Sequence, residues 1–228
     1  MKILFLIPAR SGSKRLPNKN IKKLKGKPLL CYSIDVARKI TSDEHICIST
    51  DSEEIKKVVE DYGLTVPFLR PVELATDTAT SNDVILHALK FYEKKGIEYD
   101  VVILLQPTSP LRKPEHLQKA IDLFNNDIDM VVSVKKSHSS SVLCKENNKG
   151  FLELIFNEDG VRSQDIKDFY EYNGSIYLIN VKQFLKNGLH KLTKKKKIIM
   201  PELFSIDIDT AFDFELVEFL LERRSNEI

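Results

Sequence analysis

The stretch ILFLIPARSGSKRLPNKN, residues 3–20, decides how the rest of this chain is read. Its first half is an apolar, β-prone run from Ile3 to Ile7 that ends abruptly at Pro8. Its second half is a loop that sets Arg10, Lys14, Arg15 and Lys19 around the small residues Ser11, Gly12 and Ser13. A buried strand emptying into a small-residue, cationic loop suits a polyphosphate. Small residues let backbone N–H groups approach the oxygens, and the cations neutralise charge. The spacing is neither that of a Walker A loop nor the dinucleotide GxGxxG. On these residues alone, a solvated basic turn after a core strand is an equal reading.

Outward from that loop, apolar periodicity alternates between two and about three and a half. Leu30, Ile34 and Ala37 recur at helical spacing. Residues 45–50 (HICIST) read as a strand ending at Asp51. Ile55, Val58, Val59 and Tyr62 form a helical stripe stopped by Gly63, and Val66 to Leu69 reads as a short strand. Ile85, Ala88, Leu89 and Tyr92 mark a further helix. Val101 to Leu105 is a continuous apolar run, as in a strand buried on both faces; a helix follows from about Pro114, then a strand from Met130 to Val134. This alternation predicts a three-layer α/β/α fold with a mainly parallel sheet, its functional loops at the strand C-termini. From Lys135 to Tyr172 the pattern breaks, with one isolated strand expected from Phe151 to Phe156, so residues 137–172 read as an insertion of extended or hairpin structure in a single domain spanning 1–228. Strands are expected again at Gly174 to Ile179, Lys196 to Met200 and Ser205 to Asp209. A last helix follows, with Phe212, Leu216, Phe219 and Leu220 on one face and Thr210 with Asp213 as a capping box.

The 228 residues are enough for one sizeable core, and a formal net charge of +2 gives no footprint for nucleic acid or an acidic membrane. No run approaches a membrane-spanning length, and Ile3 to Ile7 is too short for a signal-peptide core. Three widely spaced cysteines, Cys31, Cys47 and Cys144, have no metal or disulfide pattern and fit free thiols in a reducing cytoplasm. His87, His138 and the run Lys194 to Lys197 read as packing or solvated features. Asp207 and Asp209, two apart, place both carboxylates on one strand face, where they suit Mg²⁺ shared with phosphate oxygens; the plainer reading is a polar strand end before a helix. In RPVELATDTATS (70–81), Ser81 reads as a helix cap.

Four ordered blocks carry a resemblance: IPARSGSKRLPNKN (7–20), RPVELATDTATS (70–81), LQPTSPLR (105–112), and NGSIY (173–177) with SIDID (205–209). Together they resemble the CMP-sialic acid synthetases (acylneuraminate cytidylyltransferases), colinearly from Ile7 to about Asp213, and a nucleotidyltransferase or glycosyltransferase-A-like fold is implied. The resemblance implies that CTP and an acidic nine-carbon sugar give a CMP-sugar and pyrophosphate with Mg²⁺, for surface glycan synthesis. By position, Arg10, Ser13, Lys14, Lys19, Asn20, Arg70 and Ser81 would hold CTP. Gln106, Arg162, Gln164 and Asn173 would meet the sugar. Asp207 and Asp209 would hold the metal, with Arg10, Lys14 and Asp209 acting in catalysis. A homodimer joined through residues 137–172 is also implied. RSQD (162–165) replaces the common RRQD, and Glu171 stands where some members have Arg, so N-acylneuraminate, pseudaminate, legionaminate and KDO all remain open as the sugar. An Asp-x-Asp glycosyltransferase and a non-catalytic nucleotide sensor are the more distant readings.

Overall fold

A computed structural model describes residues 1–228 except 77, 138–142, 147, 149, 155–168 and 226–228. Its centre is a six-stranded sheet in the order β10-β6-β9-β5-β1-β4. The strands are β1 (Ile3–Pro8), β4 (Ile46–Ser49), β5 (Val101–Leu105), β6 (Met130–Lys136), β9 (Tyr170–Asn180) and β10 (Lys195–Ile199). β1 pairs in parallel with both β4 and β5, and β10 pairs in parallel with β6. β9 alone runs antiparallel, between β5 and β6. A two-residue ladder joins β2 (Lys23–Leu24) and β3 (Lys27–Pro28), and β7 (Cys144–Glu146) pairs antiparallel with β8 (Leu152–Leu154).

The helices are α1 (Leu29–Arg38), α2 (Glu53–Asp61), α3 (Ser81–Glu93), α4 (Pro114–Leu123), α5 (Val181–Asn187) and α6 (Ala211–Ser225). The strand period of two separates the two faces of the sheet. Phe5 and Ile7 join Ile34, Ile55, Val59 and Leu117, so α1, α2 and α4 cover one face. Leu4 and Leu6 join Ile85, Leu89 and Phe184, so α3 and α5 cover the other. β5 is buried along its whole length because both faces are covered. A third cluster packs α6 onto the first loop: Phe214 and Val217 meet Leu16, Leu24, Leu111 and Ile208.

The expected three-layer, mainly parallel fold is present, and three local expectations are corrected. Residues 205–209 are not a strand: Ile208 N–H bonds the Thr108 carbonyl at 2.9 Å, a single tie to a loop instead of a ladder. Val66 to Leu69 is not a strand either, apart from one bridge between Leu69 and Thr50. On α6 the buried residues are Phe214 and Val217, whereas Phe212 is 72% and Phe219 50% exposed. The isolated strand expected from Phe151 is found as β8 in a hairpin with β7; its expected end lies outside the described residues, as does most of the 137–172 insertion. No described helix is long and apolar enough to cross a membrane.

Candidate active site

The parallel strands β1, β4 and β5 deliver their C-terminal ends to one edge, and antiparallel β9 brings its early residues to the same edge. Leu105, the last residue of β5, faces Ile176. Between Val132 and Val134 the β6–β9 register slips. Within that irregularity Gly174 adopts φ +72°, which a side chain tolerates poorly, and a Cβ there would sit 3.7 Å from Asp207 Oδ2. The bulge therefore turns β9 toward the cleft beside Asp207.

Three internal ties shape the first loop. Ala9 N–H bonds Ser49 O at 2.9 Å, which keeps the loop against β4 as it leaves β1. Asn20, buried, donates from Nδ2 to the Arg10 carbonyl at 2.9 Å, closing the loop on itself. Leu16 anchors its far side in the α6 cluster. Across the cleft, residues 106–112 are held by Arg112. Its guanidinium is buried and donates to Ser175 O, to Ser33 Oγ at 2.6 Å and to Gln106 O at 3.4 Å. Burial pushes this guanidinium's pKa down. The charge remains because the carbonyls and hydroxyls supply charge-assisted hydrogen bonds.

These elements enclose a cleft of about 510 Å³. Arg10, Ser13, Lys14, Lys19 and Asn20 from the first loop line it. Gln106, Asp207 and Asp209 line it too, so eight of the sequence-derived positions share one cavity. Lys19 Nζ bonds Ile208 O at 2.7 Å and Asp209 Oδ1 at 3.0 Å, while Arg15 reaches Asp209 Oδ2 at 3.1 Å. Asp207 is exposed by surface area, but what it faces is a cleft walled by protein. That burial raises its pKa, Thr108 opposes the shift by hydrogen bonding, and Asp209 adds to it by repulsion. The Tyr177 phenol is raised by burial and then by Asp207.

Two neighbouring carboxylates beside a cationic loop fit a hard divalent cation, which would relieve the burial of Asp207 and its repulsion by Asp209. Among the described residues no group of three or more His, Cys, Asp or Glu forms a metal cage. A cation here would therefore complete its shell with phosphate and water, as Mg²⁺ does.

A second cavity of about 360 Å³ adjoins the first loop and is lined by Arg10, Ser13 and Lys14 together with Ala75 and Thr76. The 70–81 segment thus lies beside the loop. Arg70 is buried, 3.7 Å from Asp51 Oδ1. Ser81 is exposed and is the first residue of α3; its neighbour Thr80 is the cap, forming a capping box with Asp83. Asn173 points inward, accepting from Ser133 Oγ at 2.6 Å and donating to Ser205 Oγ at 2.9 Å, so it ties β9 to the 205–209 segment. Arg162, Gln164 and His138 lie outside the described residues. Glu171 is held by Lys135 at 3.1 Å and Ser137 at 2.6 Å. His87 packs edge-on against Phe68. The Cys31 and Cys47 thiols are buried and pushed up to about 12.

Arg15, Asp51 and Tyr177 were not singled out from sequence. Arg15 stood among the loop cations and Tyr177 inside a matching block, so both had a signal. Asp51 had only its place at a strand end.

A protein family described as Cytidylyltransferase matches residues 4–224. The CMP-N,N'-diacetyllegionaminic acid synthase of Legionella pneumophila is 39% identical over 233 residues, covering 97% of each chain. An N-acylneuraminate cytidylyltransferase of Escherichia coli O18:K1:H7 is 35% identical over 232 residues, covering 99% of this chain and 54% of that one. A CMP:2-keto-3-deoxy-manno-octonic acid synthetase solved with CTP superposes with a TM-score of 0.74 over 98% of this chain at 17% identity, a likeness of fold. With the family matched over nearly the whole length, the chain belongs to the cytidylyltransferases and is a nucleotidyltransferase.

Proposed function

We propose that the protein transfers CMP from CTP to the anomeric hydroxyl of a nonulosonic acid and releases pyrophosphate. The observation that carries this reading is the single cleft in which the Arg10–Asn20 loop faces Asp207, Asp209 and Gln106. Arg10, Lys14 and Lys19 bind the triphosphate, and Ser13 and Asn20 shape its bed. Arg70 and Ser81 serve the nucleoside end. Asp207 and Asp209 would hold Mg²⁺, which would supply charge neutralisation at the phosphates. The sugar hydroxyl attacks the α-phosphorus in line, forming the new P–O bond as the bond to the β-phosphate oxygen breaks. Asp209 accepts the hydroxyl proton, and pyrophosphate leaves with the displaced electron pair. Catalysis is then mainly positioning and electrostatics.

Gln106 offers an amide to the sugar, with Arg162 and Gln164 from the insertion completing the subsite. N-acylneuraminate is one candidate substrate. N,N'-diacetyllegionaminate is the second, favoured by the 39% identity to a relative matched end to end. The homodimer reading draws support from exposed apolar residues around the β7–β8 hairpin and the start of β9, namely Leu143, Phe151, Leu152 and Tyr172. The deciding experiment is pyrophosphate release from CTP and Mg²⁺ with N-acylneuraminate, legionaminate, pseudaminate and KDO in parallel. Release with a nonulosonate supports the reading and names the sugar. CTP binding without release for any sugar would move a glycosyltransferase or a nucleotide sensor to the front.

A further inference from the structure

Asp51 stands at the C-terminal end of β4, on the same edge as the cleft but lining neither cavity described above. Both of its carboxylate oxygens are engaged by the first loop: Ser11 N–H donates to Oδ1 at 3.0 Å and Ser11 Oγ donates to Oδ2 at 2.6 Å. The same Oδ1 lies 3.7 Å from Arg70 NH2, within ion-pair range and beyond a hydrogen bond. Arg70 N–H bonds Thr50 O at 2.7 Å, so the backbones of 50 and 70 are already joined beneath the carboxylate. Arg70 itself is only 5% exposed, and its Nε and NH2 are buried with no hydrogen-bond partner. Arg10 lies close enough to repel it. A buried guanidinium with unfilled donors and a second cation nearby depends on its counter-charge. Asp51 supplies that counter-charge.

We infer that Asp51 is a positioning residue for CTP, fixing the phosphate-binding loop through Ser11 and the nucleoside-side segment through Arg70 on a single strand end. This rests on the reading that these two segments hold CTP. The chemical demand is specific. Only an ionised carboxylate can accept two bonds from Ser11 and at the same time balance a buried guanidinium. An amide at position 51 keeps the volume but loses the charge and one acceptor.

The test is CTP affinity by calorimetry in Asp51→Asn and Ser11→Ala, with KM for each substrate, kcat and a thermal melt alongside. Asp51→Asn should weaken CTP binding about tenfold or more, the scale of a lost charge-assisted hydrogen bond, while kcat at saturating CTP and KM for the sugar stay within about twofold. Ser11→Ala, which removes only an exposed hydroxyl contact, should weaken CTP severalfold with an unchanged melt. If Asp51→Asn does not fold, Ser11→Ala alone decides. Wild-type CTP affinity in the folded variants, or a fall in kcat with CTP affinity intact, overturns the role given to Asp51 and leaves the function reading standing. Failure of the wild type to bind CTP removes the function reading and this inference with it.

Discussion

At the residue scale, the site turns on how two neighbouring carboxylates are treated differently. Asp209 has cations on both oxygens, from Lys19 at 3.0 Å and Arg15 at 3.1 Å. The Lys19 side chain is 12% exposed and also anchored on Ile208 O, whereas that of Arg15 is 74% exposed, so the Lys19 contact is the stronger of the two. Asp207 is raised by burial and by Asp209. A raised carboxyl favours folding while it is protonated, and that benefit is lost as pH climbs through its folded-state value. Asp207→Asn should therefore melt higher than wild type at neutral pH, with the gain vanishing below the ordinary carboxylate value of 3.8. Melting curves at pH 7 and pH 3 check this; equal gains at both would contradict it. The convergence of these residues on one cleft was legible as types in a pattern, because cations beside small residues and an Asp-x-Asp pair both suit a polyphosphate. The inward turn of Asn173 was not legible, since it follows from a bulge that only the β6–β9 register creates.

At the scale of elements, the capping and facing of helices separate what patterns reveal from what tertiary contacts decide. Ser81 and Thr80 are both competent caps by type, and the backbone assigns Thr80, whose Oγ1 accepts from Asp83 N while the Asp83 carboxylate accepts from Thr80 N. Thr80→Ala should cost about 1 kcal/mol. The Asp83 carboxyl is held below its usual value by its bonds to the Thr80 backbone and hydroxyl. Its contribution is full above 3.8 and fades as pH falls through the depressed value, so the Thr80→Ala deficit should shrink in acid. Urea titrations at two pH values measure it. On α6 the sequence offers two apolar stripes, 212/216/219/220 and 214/217/221, and periodicity cannot choose between them. Ile208, fully buried and tied to Thr108, fixes the helix entry and turns Phe214 and Val217 inward. Phe214→Ala should cost about 3 kcal/mol or more. Phe212→Ala should stay within about 0.5 kcal/mol, as surface changes do. A reversed order would mean that the helix presents its other face.

At the scale of the whole molecule, the alternation of strand and helix was enough to announce a three-layer sheet fold with its working edge at the strand C-termini. What alternation cannot reveal is direction: β9 reads as one more apolar strand, yet it enters the sheet reversed between β5 and β6. That reversal lets Gly174 and Tyr177 join loops from β1 and β5 around one cleft. Arg112 then locks three elements together through Ser33, Gln106 and Ser175. The central claim is that CMP transfer occurs in this cleft, and the most direct test is Mg²⁺-dependent pyrophosphate release by Asp209→Asn against wild type with the preferred sugar. The expected result is a loss of at least about a hundredfold in kcat, the scale of removing one electrostatic group from a reacting centre, with CTP still bound. Turnover equal to wild type would place the chemistry elsewhere.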